Sequence, residues 1–539
     1  MKTTLPTPPF PYDKLTTNIT FGEFQSLTLD ESADFVDKMR NELLEIWDSG
    51  ISPYVGISEE KIIERFKKLH SIDLSDFYIK DDLYKDYEGF IRNFTKMANG
   101  INQFFPNILK TRINGMSMYD FLSNENLFRD FRYTIIQKVR FDKMYSYSKY
   151  LCNSDWWSYD VKVKSHPIAE DGIFYDEDVE LESNLKYLKV SNKFRSEYHH
   201  YRSFQQLLDG NPNIGFWIED YEFNQKNEEL GRTRFSSSFV KDLILVDDTV
   251  IKPSNYIDNR IGFNRNGDEK YYAIRYFNKD TRLFPNIFQV LRLGLNQVAI
   301  NFPTLTARWI YEKYLGELEP QPKYKVYDSS AGWGGRLLGS LTTNFPLRYI
   351  GLDVNKSNVG SYESLGNFYN HHIKDERSYT NDFEIHYQGS EVIHQNPSFM
   401  ENHKNDIDLA FTSPPYFDRE RYSEDEEQSC IKFPKYKDWL FGFLKPTLET
   451  TYELLKNDRY YLINISDIKN SETSFYPLEQ DTISLAINCG FKFVGKYGMV
   501  MTRSVGTNVI EMRNTWLDIK SQKHYKVEPI IILHKDNNK

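Results

Sequence analysis

Through the first 150 residues, apolar side chains recur every three or four positions within charged stretches such as "EKIIERFKKL" (60–69) and "FRYTIIQKVRFDKM" (131–144). That spacing predicts helices with one buried face. Between 151 and about 280 the periodicity breaks up, and "DGNPNIG" and "FNRNGDEKYY" read as turns. From about 300 the pattern changes again, to short apolar runs separated by helical stretches. The candidate strands are "YKVYD", "RYIGLDV", "EIHYQG", "DIDLAFT", "RYYLINIS", "FKFVGKYGMVM" and "EPIIILHK". Alternation of this kind predicts an α/β fold with a doubly wound sheet, whose ligands sit beyond the carboxyl ends of the strands where the strand order reverses. The first and fourth strands should flank that crevice. With no internal repeat or low-complexity linker, the chain divides into a mainly helical region (1–150), a mixed region (151–295) and an α/β region (296–539).

Composition narrows the function. The chain has 539 residues, 40% of them hydrophobic, and a mean hydropathy of -0.61, as expected of an ordinary globular protein. It contains no run of 18 apolar residues, and its start, "MKTTLPTPPFPYDKL", lacks the apolar core of a signal peptide. No membrane role is expected, and a cytoplasmic location is. Cys152, Cys430 and Cys489 lie far apart and suggest neither a disulfide framework nor a metal site. His199 and His200 lack partners at metal-binding spacing, so no metal is assigned. A net charge of -10 argues against sequence-blind coating of nucleic acid, so any nucleic-acid site must be a local basic groove.

Two motifs fall at the predicted crevice. The first strand runs into "DSSAGWGGRLLGSL", where Gly332, Gly334 and Gly335 would let backbone approach a ligand closely. A tight turn with no ligand explains this stretch equally well, since the spacing is not that of a dinucleotide loop. The second strand ends in "GLDVN", whose Asp353 could accept hydrogen bonds from ribose hydroxyls. The fourth strand ends in "TSPPY". Pro414 and Pro415 fix φ and donate no hydrogen bonds, so they stop the strand rigidly and leave acceptors at its end. Such a corner suits the exocyclic amine of a nucleobase. The Ser413 hydroxyl and Pro414 carbonyl would hold its N–H groups and free the nitrogen lone pair. Tyr416 would stack the base, a contribution of roughly 1–3 kcal/mol. The plainer reading is a proline-stiffened loop with a buried tyrosine.

Together, "TSPPY", "DSSAGWG" and "GLDVN" resemble the amino-methylating DNA methyltransferases, the N4-cytosine and N6-adenine enzymes that use S-adenosylmethionine. The resemblance covers about 300 to 539, including "NFPTLTARWIYEKY" in the place of the helix before the first strand. It implies a Rossmann-like class I methyltransferase sheet. It also implies S-adenosylmethionine held by Asp328, Ser330, Ala331, Gly332, Gly334 and Asp353, and a catalytic corner of Ser413, Pro414, Pro415 and Tyr416. Serine at the head of the corner resembles the cytosine-modifying members. Ser330 departs from the aromatic of the family's first motif. "YQGS" after the third strand lacks the acid often placed near adenine.

The resemblance implies DNA as partner, with RNA behind it, and allows a restriction or other defence-system setting in host or phage. Carbon-5 cytosine methylation is disfavoured, because no cysteine follows a proline. A nicotinamide dehydrogenase would leave "SPPY" unexplained, and a non-catalytic binder on the same fold would predict a damaged corner. The motif order leaves no room for a recognition domain between the motifs, which points to the first 300 residues. There, "KYLKVSNKFRSEYHHYRSF" interleaves Lys186, Lys189, Lys193, Arg195 and Arg202 with aromatics, as a phosphate-tracking surface would. A solvated basic face fits the same pattern. The charged segment after the corner, "YFDRERYSEDEEQSCIKFPKYKDW", suits a lid or an ordinary surface loop.

Overall fold

In a computed structural model of the chain, the structure describes residues 5, 10–53, 57–92, 100–113, 115–141, 280–294, 299–469, 475–503, 515–518 and 523–536, with the backbone of five strands between 142 and 279. Two compact units emerge. One comprises Met1–Phe10, Ile46–Asn124 and Leu295–Lys539, the other Pro11–Glu45 and Glu125–Gly294. The second unit contains a three-stranded antiparallel sheet in the order Ser146–Cys152, Lys270–Asn278, Ile214–Glu222.

The first unit carries the candidate site. Its N-terminal part holds helix α1 (Glu59–Leu69), short strands β1 (Tyr78–Ile79), β2 (Gly89–Ile91) and β3 (Arg112–Ile113), and helix α2 (Met118–Ser123). Helix α3 (Thr304–Leu315) then leads into β4 (Tyr324–Asp328), α4 (Gly335–Leu341), β5 (Leu347–Leu352), α5 (Ser361–Ile373), β6 (Asp382–His386), α6 (Pro397–His403) and β7 (Ile407–Thr412). After the corner come β8 (Glu420–Arg421), α7 (Lys445–Leu454), β9 (Leu455–Asn464), α8 (Leu478–Asn488), β10 (Lys492–Arg503), β11 (Thr515–Asp518) and β12 (Lys523–Lys535). Strands β4 and β7 are almost wholly buried, which is why "DLAFT" reads as a continuous apolar run rather than an alternation.

These strands build one ten-stranded sheet in the order β1-β2-β10-β12-β9-β7-β4-β5-β6, with β11 paired to β12. Strands β4, β5, β6, β7 and β9 run parallel, while β12 lies antiparallel between β9 and β10. This is the doubly wound, Rossmann-like sheet expected from the sequence. The order reverses between β4 and β7, so the glycine turn and the "SPPY" corner leave the sheet side by side.

The N-terminal region, read as mainly helical, also contributes short strands. Strand β2 adds parallel to β10 and β1 extends the edge, through runs of two and three residues too short to show a period. Arg308 on α3, 1% exposed, donates to the carbonyls of Leu69 (2.5 Å) and Ile72 (3.2 Å) while paired with Glu312. It thereby satisfies acceptors that the C-terminus of α1 leaves open. Among the described residues no helix is long and apolar enough to cross a membrane.

Candidate functional site

Asp328 ends β4 completely buried. Its carboxylate accepts from Arg336 Nε at 2.7 Å, Tyr349 OH at 2.5 Å, Thr412 Oγ1 at 2.8 Å and the Ser330 N–H at 3.1 Å. A buried carboxylate needs such matching. Here the matching ties the ends of β4, β5 and β7 to helix α4, so Asp328 stands behind the crevice wall rather than in it. Ala331, 1% exposed, is likewise internal, its N–H donating to Leu352 O at 2.7 Å.

Gly332 and Gly334 both take left-handed backbone, with φ of 64° and 76°. Their surroundings differ. A Cβ on Gly332 would have ordinary room, whereas one on Gly334 would lie 2.6 Å from the Phe105 ring and 3.0 Å from Leu365. The first glycine faces the crevice and the second is a packing position.

Along the crevice, Ser329, Ser330, Gly332 and Trp333 of this turn meet Asp353, Asn355 and Asn358 after β5, Gln388 to Glu391 after β6, and Ser413 and Pro415 after β7. The half-buried Asp353 carboxylate accepts from Tyr362 OH, the Asn355 N–H (2.9 Å) and Asn358 Nδ2 (3.0 Å). Burial raises its pKa above the usual carboxylate range, and those donors oppose the rise. Trp333 Nε1, Asn355 Nδ2, Asn358 Oδ1 and Gln428 Nε2 are buried in these walls without a hydrogen-bond partner among the described residues. Buried polar groups of this kind take partners from outside the chain, a ligand or water. Among the described residues the lining holds three carboxylates, Asp353, Glu391 and Glu427, and no lysine or arginine. Just behind it, Lys432 offsets two of them, at 3.0 Å from Glu391 and 2.9 Å from Glu427. With no basic group in its lining among the described residues, such a crevice tolerates a cation and disfavours a pyrophosphate, against the dehydrogenase alternative. Hydrogen-bonding groups for a ribose and a base beside a cation-compatible wall fit S-adenosylmethionine.

At the corner, Ser413 and Pro415 open onto the same space, while Pro414 is buried. Tyr416 departs from expectation. It is 7% exposed, packed in the core, with its OH bonded to Asn464 O (3.2 Å), Asn464 Oδ1 (3.2 Å) and Glu528 Oε1 (3.1 Å). Three acceptors draw the ring inward, away from the lip where a stacking face would stand. Phe417 follows with φ 50°, an uncommon backbone for a bulky residue, held by ring packing against Tyr436, Trp439 and Tyr476.

The charged segment after the corner forms one wall of the crevice through Tyr422, Glu427, Gln428 and Ser429. The free space it leaves is about 60 Å³. Strand β8 within it pairs with β3, Arg112 pairs with Glu424, and Lys356 lies 2.8 Å from Asp425. Elsewhere, Glu384, His386 and His403 bring metal-capable atoms together, but the Glu384 carboxylate is already held by His403 Nε2 (2.8 Å) and Arg348.

Ser330, Gly332, Asp353, Ser413 and Pro415 thus converge, and Asp328, Ala331, Gly334, Pro414 and Tyr416 support them from behind. Sequence reasoning missed Trp333, Asn355, Asn358 and Glu391. An acid does follow "YQGS" by one residue, Glu391, and it lines the crevice. Lys186, Lys193, Arg195 and Arg202 lie outside the described residues, and Lys189 is described only as strand backbone.

No family model and no curated protein matches the sequence. Among solved structures, a candidate RNA methyltransferase from Pyrococcus horikoshii is 13% identical with a TM-score of 0.24, over 44% of this chain and 87% of that one. A candidate DNA modification methylase from Thermus thermophilus is 18% identical with a TM-score of 0.19, over 28% and 50%. A SAM-dependent methyltransferase from Agrobacterium tumefaciens is 15% identical with a TM-score of 0.28, over 45% and 64%. This chain therefore spans half of the second and less than two thirds of the third. These are likenesses of fold.

Proposed function

We propose that the chain is an S-adenosylmethionine-dependent methyltransferase acting on the exocyclic amine of a nucleic-acid base, with DNA ahead of RNA and cytosine N4 ahead of adenine N6. One observation carries the reading: Ser413 and Pro415 open onto the same crevice as Gly332, Asp353 and the orphaned polar groups. Asp353, Asn355, Asn358 and Trp333 would hold the ribose and base of the cofactor, in a lining with no lysine or arginine among the described residues to oppose its positive charge. When bound, S-adenosylmethionine supplies an electrophilic methyl group.

The chain's part is to prepare the nucleophile. An aromatic amine is weakly nucleophilic because its lone pair is delocalised into the ring. Acceptors at Ser413 Oγ and the strand-end carbonyls hold both N–H groups and turn the lone pair outward. Rigid prolines keep those acceptors in place at no conformational cost during reaction. The surplus proton leaves to solvent. Asp328 serves as a positioning residue, and residues 151–295, with Lys186, Lys189, Lys193, Arg195 and Arg202, would supply the nucleic-acid surface.

Incubation with labelled S-adenosylmethionine and mixed DNA or RNA, followed by nucleoside mass spectrometry, tests this. N4-methylcytosine in DNA is the expected product. N6-methyladenine would overturn the base choice, a methylated RNA amine the substrate choice, and 5-methylcytosine the mechanism. Replacing Lys193 and Arg195 together should weaken DNA binding and flatten its salt dependence by up to about two phosphate contacts. An unchanged slope would leave that stretch a solvated face.

A further inference from the structure

Ser413 can accept or donate a hydrogen bond, and an amine requires the first. The choice is made outside the crevice. Register pairs Thr412 with Ile463, which sets Ser413 beside Asn464 at the end of the neighbouring parallel strand. Asn464 is 2% exposed. Its Nδ2 lies 3.0 Å from Pro529 O. A peptide carbonyl only accepts, so the NH2 end of the side chain must point there, and the orientation of the amide follows from chemistry. Oδ1 therefore faces the corner, 3.3 Å from Ser413 Oγ and 3.2 Å from Tyr416 OH.

An amide oxygen also only accepts. Tyr416, surrounded by Asn464 O, Asn464 Oδ1 and Glu528 Oε1, has acceptors for its own proton, and burial keeps the phenol protonated. The inward-facing groups thus draw the Ser413 proton away from the crevice. What Ser413 presents to a ligand is lone pairs.

We propose that Asn464 is a specificity-determining residue: by fixing the direction of the Ser413 hydroxyl it makes the corner accept amino groups and reject keto groups. The inference rests on the methyltransferase reading of the site for its biological meaning, but the polarity it describes can be measured without turnover. An amine finds an acceptor at Ser413. A keto oxygen meets lone pairs and goes unpaired. Leaving a buried polar group unpaired costs enough for a preference of about tenfold or more.

The test uses the full chain, saturated with S-adenosylhomocysteine so that adenosine cannot report on the cofactor position, and two nucleoside pairs, cytidine against uridine and adenosine against inosine, with binding followed by NMR line broadening. Wild type should bind the amino member of each pair about tenfold more tightly. Asn464→Leu should bring the ratio close to one, and so should Ser413→Ala, which removes only the hydroxyl. Asn464→Leu added to Ser413→Ala should change nothing further, because one acts through the other. Asn464→Asp keeps an acceptor beside Ser413, and a buried aspartic acid held protonated can still donate to Pro529 O, so it should retain most of the preference.

A preference that survives in Asn464→Leu, or losses that add in the double variant, would overturn the inference. If Asn464→Leu fails to fold, an unchanged preference in Ser413→Ala does the same. Wild type that prefers amino nucleosides yet methylates no nucleic acid would refute the parent reading and leave this one standing. Base methylation indifferent to Asn464 would do the reverse.

Discussion

Gly334 shows how a residue can suit a motif for a reason the motif does not name. In the sequence it belongs to a turn that lets backbone approach a ligand. In the fold, its missing side chain makes room for Phe105. Gly334→Val should therefore act on stability, losing about 2 kcal/mol or more from strained backbone and displaced rings, as read by urea unfolding. Gly332→Ala should instead raise the cofactor dissociation constant more than it lowers stability. A folded Gly334→Val variant of wild-type stability would refute the packing assignment. Glu528 makes a second prediction. Burial raises its pKa above the usual value while Tyr416 OH opposes the rise. An acid whose pKa is higher folded than unfolded favours folding most when protonated. Its contribution falls as pH rises from the ordinary carboxylate value through the raised one. Glu528→Gln should remove that loss, so the variant gains melting temperature relative to wild type at pH 8 but not at pH 4. Parallel melting curves across that range would contradict it.

At the scale of elements, the segment from Phe417 to Phe433 decides access. It walls the crevice with Tyr422 and Gln428, and its ties to the rest of the unit include β8 on β3, Arg112 on Glu424, Lys356 on Asp425, Lys432 on Glu391 and Phe417 in the core. A space of about 60 Å³ has room for a couple of water molecules. A nucleoside-sized ligand would meet this wall on entry, and we expect the wall to act as a lid. Arg112 also bonds Asp120 at 2.7 Å and 2.9 Å, so it links the lid to the N-terminus of α2. The ion pairs are partly exposed and each contributes at most about 1 kcal/mol. Arg112→Ala should weaken S-adenosylmethionine binding by up to about fivefold, with faster release in stopped flow. Unchanged rates would mean that the wall is held without Arg112, by the β3–β8 pairing and its other ion pairs.

At the scale of the molecule, the unit bearing the site is discontinuous in sequence. Phe66 and Phe104 pack on Phe368 of α5, at 6.2 Å and 5.2 Å between ring centres, and Tyr78 stacks on Trp309 of α3 at 5.7 Å. Strand β2 covers the β10 edge, which would otherwise be an open row of backbone donors and acceptors. A fragment of residues 296–539, the whole reach of the sequence resemblance, should therefore not fold alone. It is expected to bind hydrophobic dye and give a poorly dispersed NMR spectrum, and a fragment of residues 46–124 added in trans should reverse both. A cooperative melt of 296–539 by itself would refute this dependence.

The sequence determined what depends on neighbours along the chain. Apolar runs bounded by helical stretches located seven of the C-terminal strands, the succession of elements implied the doubly wound order, and glycine and proline chemistry marked the two turns that flank the crevice. Ser413 and Asp353 were legible because strand ends in such a sheet point to one place. Tertiary structure decided everything set by partners distant in sequence. Asp328 turned inward because Arg336, Tyr349 and Thr412 surround it, and Tyr416 because Asn464 and Glu528 do. Strands β1 and β2 joined a sheet built from the far end of the chain, through runs too short to show a period. Asn464 is the clearest case. Nothing around "LINIS" distinguishes it, and its task exists only because strand pairing sets its amide between a carbonyl that must accept and a hydroxyl that can then only donate.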